Sequence, residues 1–297
     1  MPTRLIRAAT AAALATITAA LVLAACDSDD GGGEGDLTCT GSSDVPELQD
    51  GILSIGAELD FEPINFFDAE TAAPNGLDID LAGALARSLC VDLEFVRTDF
   101  GNLIEAVNAD EFDVIMSGMT ITTERSQKID YIPYADVGTA ILVRDGNPTE
   151  ARGLADLCGL TVAVQRNTIQ VDQLAQQDRV CSETDEGRGP IDVLLFATTP
   201  LAVTDLTTAG SDASITDFPA AFVAAKESSG KLELLEEQIE PLPYGIGVRK
   251  DSTALNSSLS KALDSLACSK EYDQILEAWS LGTSTIFVDI DEGNCPD

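Results

Sequence analysis

The chain has 297 residues, is 44% hydrophobic and carries 17 basic against 51 acidic side chains. That length accommodates two domains of ordinary size, and a net charge of −34 argues against a nucleic acid or an anionic lipid surface as the ligand. No histidine occurs anywhere, which excludes Ser-His-Asp and Cys-His catalysis and histidine-held metals within the chain; neither a metal nor a cofactor is expected.

Arg4 and Arg7 precede an apolar stretch over 8–22, and Leu23-Ala24-Ala25-Cys26 closes it. This is the layout of a signal peptide over residues 1–25, too short and alanine-rich for a spanning helix. Residues 27–36 are Gly, Asp, Glu and Ser only, so 26–36 reads as a flexible acidic tether. Beyond it lie Cys39, Cys90, Cys158, Cys181, Cys268 and Cys295. An even count in an exported chain reads as disulfides. Spacing alone leaves the connectivity open; neighbours in sequence would pair as Cys39–Cys90, Cys158–Cys181 and Cys268–Cys295. None has C-x-x-C spacing, which argues against zinc and redox motifs.

Strand-like and helix-like segments then alternate. Ile52–Ala57, Leu93–Val96 and Asp113–Ser117 read as strands. Asp78–Leu89 reads as a helix with Ile79, Ala82, Leu85, Ala86 and Leu89 on one face, and Asp78 and Asp80 at its electropositive start. Asn102–Ala109 reads as a second helix. The pattern resumes with strands at Leu160–Gln165, Asp192–Ala197 and Ala213–Asp217. Helices are expected at Ile169–Gln177, Pro200–Ala209 and Pro219–Ala225, and two more at Ser252–Ala267 and Lys270–Leu281. Gly138–Arg144 and Tyr244–Arg249 are apolar strands that bracket the second run, and read as crossovers between two lobes. The expectation is an α/β fold: a first lobe over 37–138, a second over 139–244, and a return to the first over 245–297.

The segment Gly76-Leu77-Asp78-Ile79-Asp80-Leu81-Ala82-Gly83-Ala84-Leu85-Ala86-Arg87-Ser88-Leu89 resembles the signature of family 3 bacterial solute-binding proteins. Supporting blocks are Ile55-Gly56-Ala57, Thr120-Ile121-Thr122-Thr123-Glu124-Arg125, Gly159 to Val164 and Tyr244 to Asp251. The resemblance covers about residues 48–282, and Leu23-Ala24-Ala25-Cys26 resembles the lipobox of bacterial lipoproteins. It implies two Rossmann-like lobes joined by two hinge strands (the periplasmic-binding-protein-like fold, type II), with a ligand clamped between them. It further implies a lipid on Cys26 and a position on the outer face of the cytoplasmic membrane. The partners implied are an ABC permease and its ATPase subunits, and the protein itself is expected to be a monomer.

By the same resemblance, Arg125 takes the α-carboxylate of an amino acid, in a two-pronged contact that lysine does not reproduce. Ser117, Gly118 and Thr120 lie on the turn before it; Gly118 replaces a serine found in some relatives, removing one hydroxyl. Asp217 takes the α-ammonium, the competing use being a helix N-cap. Phe61 and Phe100 sandwich the side chain. Thr168 and Gln170 sit at a helix start facing the carboxylate, although Asn167 stands where glycine is usual. Glu58 follows the first strand and favours a basic or polar side chain. The competing readings are an exported cyclohexadienyl or arogenate dehydratase, with Glu58 as its acid, and a ligand-presenting sensor component.

Overall fold

The computed structural model describes residues 44–183, 189–235 and 238–279. The expected signal peptide, Cys26, the tether, Cys39 and Cys295 lie outside these residues.

In chain order the elements are β1 (Ile52–Ala57), β2 (Asp60–Phe61), β3 (Asn65–Phe67), β4 (Pro74–Asn75), α1 (Leu77–Leu89), β5 (Asp92–Arg97), α2 (Leu103–Asn108) and β6 (Val114–Ile115). Next come α3 (Thr123–Ser126), β7 (Asp130–Arg144), β8 (Thr161–Gln165), α4 (Ile169–Glu183), β9 (Asp192–Phe196), α5 (Thr199–Thr207) and β10 (Ala213–Asp217). The rest are α6 (Phe218–Glu227), β11 (Leu232–Leu234), β12 (Ile239–Val248), α7 (Thr253–Cys268) and α8 (Glu271–Ala278).

One sheet runs β5-β1-β6-β12-β7-β10-β8-β9, with β11 also on β7. At one end β1 pairs parallel with β5 and β6; at the other β8 pairs parallel with β9 and β10. Between them β7 and β12 run antiparallel and belong to both halves. Residues 130–137 of β7 pair with β12, whereas 139–143 pair with β10, so the chain crosses at Gly138–Thr139. The β12 ladder breaks register between Ile239 and Leu242, facing the Gly138 step of β7. A separate three-stranded sheet, β2-β3-β4, flanks the first half.

Alternation along the strands gives each half two apolar faces. In the first, Leu53, Ile55, Val114 and Met116 meet α1 and α7, while Ile115 turns to Val107 and Phe112 around α2. In the second, Ile141 and Val143 meet Leu174 of α4, while Ala140 and Leu142 meet Leu206 of α5 and Ala221 of α6. Each lobe therefore carries an apolar cluster on both faces of its half of the sheet. Cys158 and Cys181 are joined by a disulfide with Cα atoms 5.5 Å apart, tying the start of the second lobe to α4. Cys90 and Cys268 each take part in a disulfide of their own. The chain's one tryptophan, Trp279, donates its indole N–H to Asp80 at 2.8 Å and meets Phe66 edge-on at 6.0 Å, fixing α8 against α1.

Asp78 behaves differently from a helix-start carboxylate. It is fully buried, while Asp80, two residues on, is exposed on the α1 surface.

Candidate functional site

The strand ends of both halves meet at a narrow cleft lined from both sides. From the first lobe Glu58, Phe61, Phe100, Gly118, Thr120 and Arg125 line it. From the second come Gln165, Thr168, Ile169, Gln170, Thr199, Ile215, Thr216 and Asp217. The only ionisable groups among these are Glu58, Arg125 and Asp217.

Arg125 sits in α3, whose start is capped by the Thr122 hydroxyl accepting from the Arg125 N–H at 3.1 Å. Its guanidinium does not point to bulk solvent. One arm donates to the Thr120 carbonyl at 2.7 Å and another crosses the cleft to the Asn167 carbonyl at 3.0 Å. The group lies 5.4 Å from the Phe100 ring centre, a cation–π contact. Burial lowers its pKa, and it remains a cation at any working pH.

Asp217 ends β10 at the N-cap position of α6, yet its carboxylate makes no capping bond. Tyr244 donates its hydroxyl to one oxygen at 2.7 Å and Gln170 its amide to the other at 2.6 Å. Both donors are neutral, so burial dominates and pushes Asp217 up to about 6. Arg125 acts on it only at longer range, without an ion pair between them among the described residues.

Glu58 is buried against the second lobe, and both its oxygens accept from the Gln165 amide at 2.8 and 3.0 Å. Gln165 in turn accepts from Thr199 at 2.8 Å. Desolvation pushes Glu58 up to about 7; the Gln165 bond opposes this, and Asp60 and Asp99 add repulsion. A carboxylate facing only neutral donors, the Gln165 amide and the Phe100 backbone, is short of positive charge.

The sequence-derived residues fall into two groups. Glu58, Phe61, Phe100, Gly118, Thr120, Arg125, Thr168, Gln170 and Asp217 all line the cleft. Ser117 does not: its hydroxyl is buried and accepts from the Glu58 N–H at 3.0 Å, holding the neighbouring loop. Thr168 lines the cleft, but its hydroxyl proton is committed to the Gln165 carbonyl at 2.8 Å. Asn167 adopts the left-handed conformation, φ +65°, that glycine would supply. Gly118 also lies there, at φ +57°, and a Cβ on it would fall 3.1 Å from the Phe61 ring. A serine would be strained, which accounts for the glycine. Sequence reasoning did not place Thr199, Thr216, Ile169 or Ile215 in the site; they are ordinary strand-end and helix-start residues with no motif of their own.

The family model described as "Bacterial extracellular solute-binding proteins, family 3" matches residues 53–283. An arginine-binding protein of Corynebacterium glutamicum is 30% identical over 243 residues, covering 80% of this chain and 77% of that protein. Among solved structures, an ancestral arginine-binding protein bound to arginine superposes with a TM-score of 0.72 at 33% identity, covering 78% of this chain and 99% of that one. An ancestral amino-acid-binding protein, described as a precursor of cyclohexadienyl dehydratase, does so with a TM-score of 0.69 at 30% identity, covering 78% and 96%. With the signature segment, the two-lobed sheet and a match spanning most of its length, the chain belongs to family 3 of the bacterial extracellular solute-binding proteins.

Proposed function

We propose that the cleft binds a basic amino acid, arginine first, for delivery to an ABC permease. The observation that carries this reading is the charge set of the cleft: one guanidinium and two carboxylates. Arginine is the mirror image, with one carboxylate and two cations. Arg125 takes the α-carboxylate, Asp217 the α-ammonium, and Glu58 the side-chain cation, with Phe61 and Phe100 along the aliphatic stem. A zwitterion that bridges Arg125 in one lobe and Asp217 in the other stabilises the closed arrangement over an open one. The names of the relatives support the ligand class, since those given above are binding proteins. We place the protein outside the cytoplasm on a lipid attached to Cys26, with residues 26–36 as its tether, as a monomer.

The test is isothermal calorimetry of the purified protein against arginine, lysine, ornithine, glutamine and glutamate, backed by thermal shift. At a thousand times its dissociation constant a ligand adds about 4 kcal/mol of stability. Arginine or lysine is expected to bind tightest and glutamate not at all; preference for glutamate would overturn the reading. The dehydratase alternative has one observation of its own, a buried acid at the cleft, and prephenate incubation followed for phenylpyruvate reads it directly.

Asp217→Asn separates its role from that of a helix cap. The variant is expected to weaken arginine while sparing the analogue that lacks the α-amino group, because the remaining oxygen still accepts from Gln170 and the new amide donates to the Tyr244 hydroxyl oxygen. Equal losses for both ligands would remove the ammonium from Asp217.

A further inference from the structure

Three segments of the first lobe converge on one carboxylate that never reaches the cleft. Asp78, in the first turn of α1, is completely buried. Its Oδ2 accepts from the Gly118 N–H at 2.9 Å and from the Asn65 amide at 3.0 Å. Its Oδ1 accepts from the Tyr134 hydroxyl at 2.6 Å. Asn65 has its own oxygen committed to the Leu59 N–H at 3.0 Å, which turns its amide toward Asp78. No cation pairs with Asp78 among the described residues. A buried carboxylate without a cation is costly to keep. A start-of-helix charge would be served as well by the exposed Asp80, so the buried one calls for another use.

We propose that Asp78 is a positioning residue for the carboxylate-binding turn, holding the Gly118 N–H so that Thr120 and Arg125 face the ligand. Gly118 lies in a left-handed conformation between β6 and Thr120. Two residues on, the Thr120 carbonyl is the acceptor that orients the Arg125 guanidinium. The Thr120 backbone bridges to Tyr244 in β12, so the far end of the turn is pinned as well. Asp78 anchors the near end. Releasing it frees the peptide plane at Gly118 and with it the carbonyl that aims Arg125. The inference rests on arginine binding through Arg125 as proposed above, and it adds a residue that touches no ligand.

The test compares arginine with agmatine, which lacks the α-carboxylate, by calorimetry on wild type and three variants. Asp78→Ala is expected to weaken arginine about tenfold or more, the worth of a misdirected charge-assisted contact, and agmatine by less than about twofold. Asp78→Asn keeps a carbonyl for Gly118 and offers its amide to the Tyr134 oxygen, so arginine affinity stays within about twofold of wild type. Tyr134→Phe leaves Gly118 held, lowering the melting temperature without moving the arginine-to-agmatine ratio. Parallel losses of both ligands in Asp78→Ala, or none, would overturn the positioning role. So would an Asp78→Asn protein that folds and loses arginine selectively, an arm that stands even where Asp78→Ala fails to fold. Wild type that binds neither ligand would overturn the functional reading and this one with it.

Discussion

Arg125→Ala is expected to lower arginine affinity by about 3 kcal/mol or more, a loss upward of a hundredfold. The size follows from the surroundings. The guanidinium is held from behind by the Thr120 carbonyl and stacked over Phe100, so its remaining donors are already aimed when a carboxylate arrives. Truncation leaves that carboxylate desolvated in a cleft whose other ionisable groups are both acids. Arg125→Lys is expected to recover little, because one ammonium cannot hold the Thr120 carbonyl and span two carboxylate oxygens together. Calorimetry on both variants, with melting temperatures to show that they fold, checks this. Near-native affinity in Arg125→Ala would move the carboxylate to another partner.

Glu58 governs the second large effect, and it is one of pH. Burial holds its carboxyl at about 7. A cationic side chain binds the ionised form, so binding at pH 6 expels a proton from most molecules. Affinity for arginine is therefore expected to be flat above about pH 7 and to fall by up to tenfold per pH unit below it. Asp217, held at about 6, steepens the fall further down, since the α-ammonium needs its ionised form too. Glu58→Gln is expected to weaken arginine by about 2 kcal/mol or more at pH 8. It should also erase the part of the profile between pH 7 and pH 6, leaving only the Asp217 limb. Glutamine, which brings no side-chain charge, should lose far less in the same variant. A Glu58→Gln protein with the native pH profile would exclude Glu58 from ligand recognition. Titrating both proteins with arginine and glutamine across pH 5 to 8 provides the data.

Much of the fold was legible because its elements obey simple periodicities. Of the expected stripe, Ala82, Leu85, Ala86 and Leu89 are buried on α1, while Ile79 is not and Leu81 and Ala84 are buried beside them; the short apolar runs of β1, β8 and β10 stand out between polar turns. What was missed has physical reasons. β2, β3 and β4 span two or three residues each, too few for an alternation to register. The outer parts of β7 and β12 carry Pro133, Pro241 and Pro243, which delete amide donors and read as strand breaks. The structure accommodates them beside the register shifts at Ile239/Leu242 and Tyr244/Gly245, where the ladder is already irregular. The residues of the site came through its likeness to a family signature, but their partners did not. Glu58 and Gln165 are 107 positions apart and Asp217 and Tyr244 are 27 apart. No spacing rule relates such pairs; only the closing of two lobes does. Asp78 shows the limit most clearly, since its place at a helix start gives a sufficient local reason for an acid and conceals the buried one.

Trp279 carries a practical consequence of its own. Being the sole indole in the chain, it alone dominates the intrinsic ultraviolet emission of the molecule. Its partners, Asp80 and Phe66, belong to α1 and β3, and neither lines the cleft. The emission is thus a gauge of how firmly α8 is seated on the first lobe. It reports denaturation faithfully and is nearly blind to what occupies the space between the lobes, so an optical readout of occupancy calls for a dye placed on the rim of the second lobe.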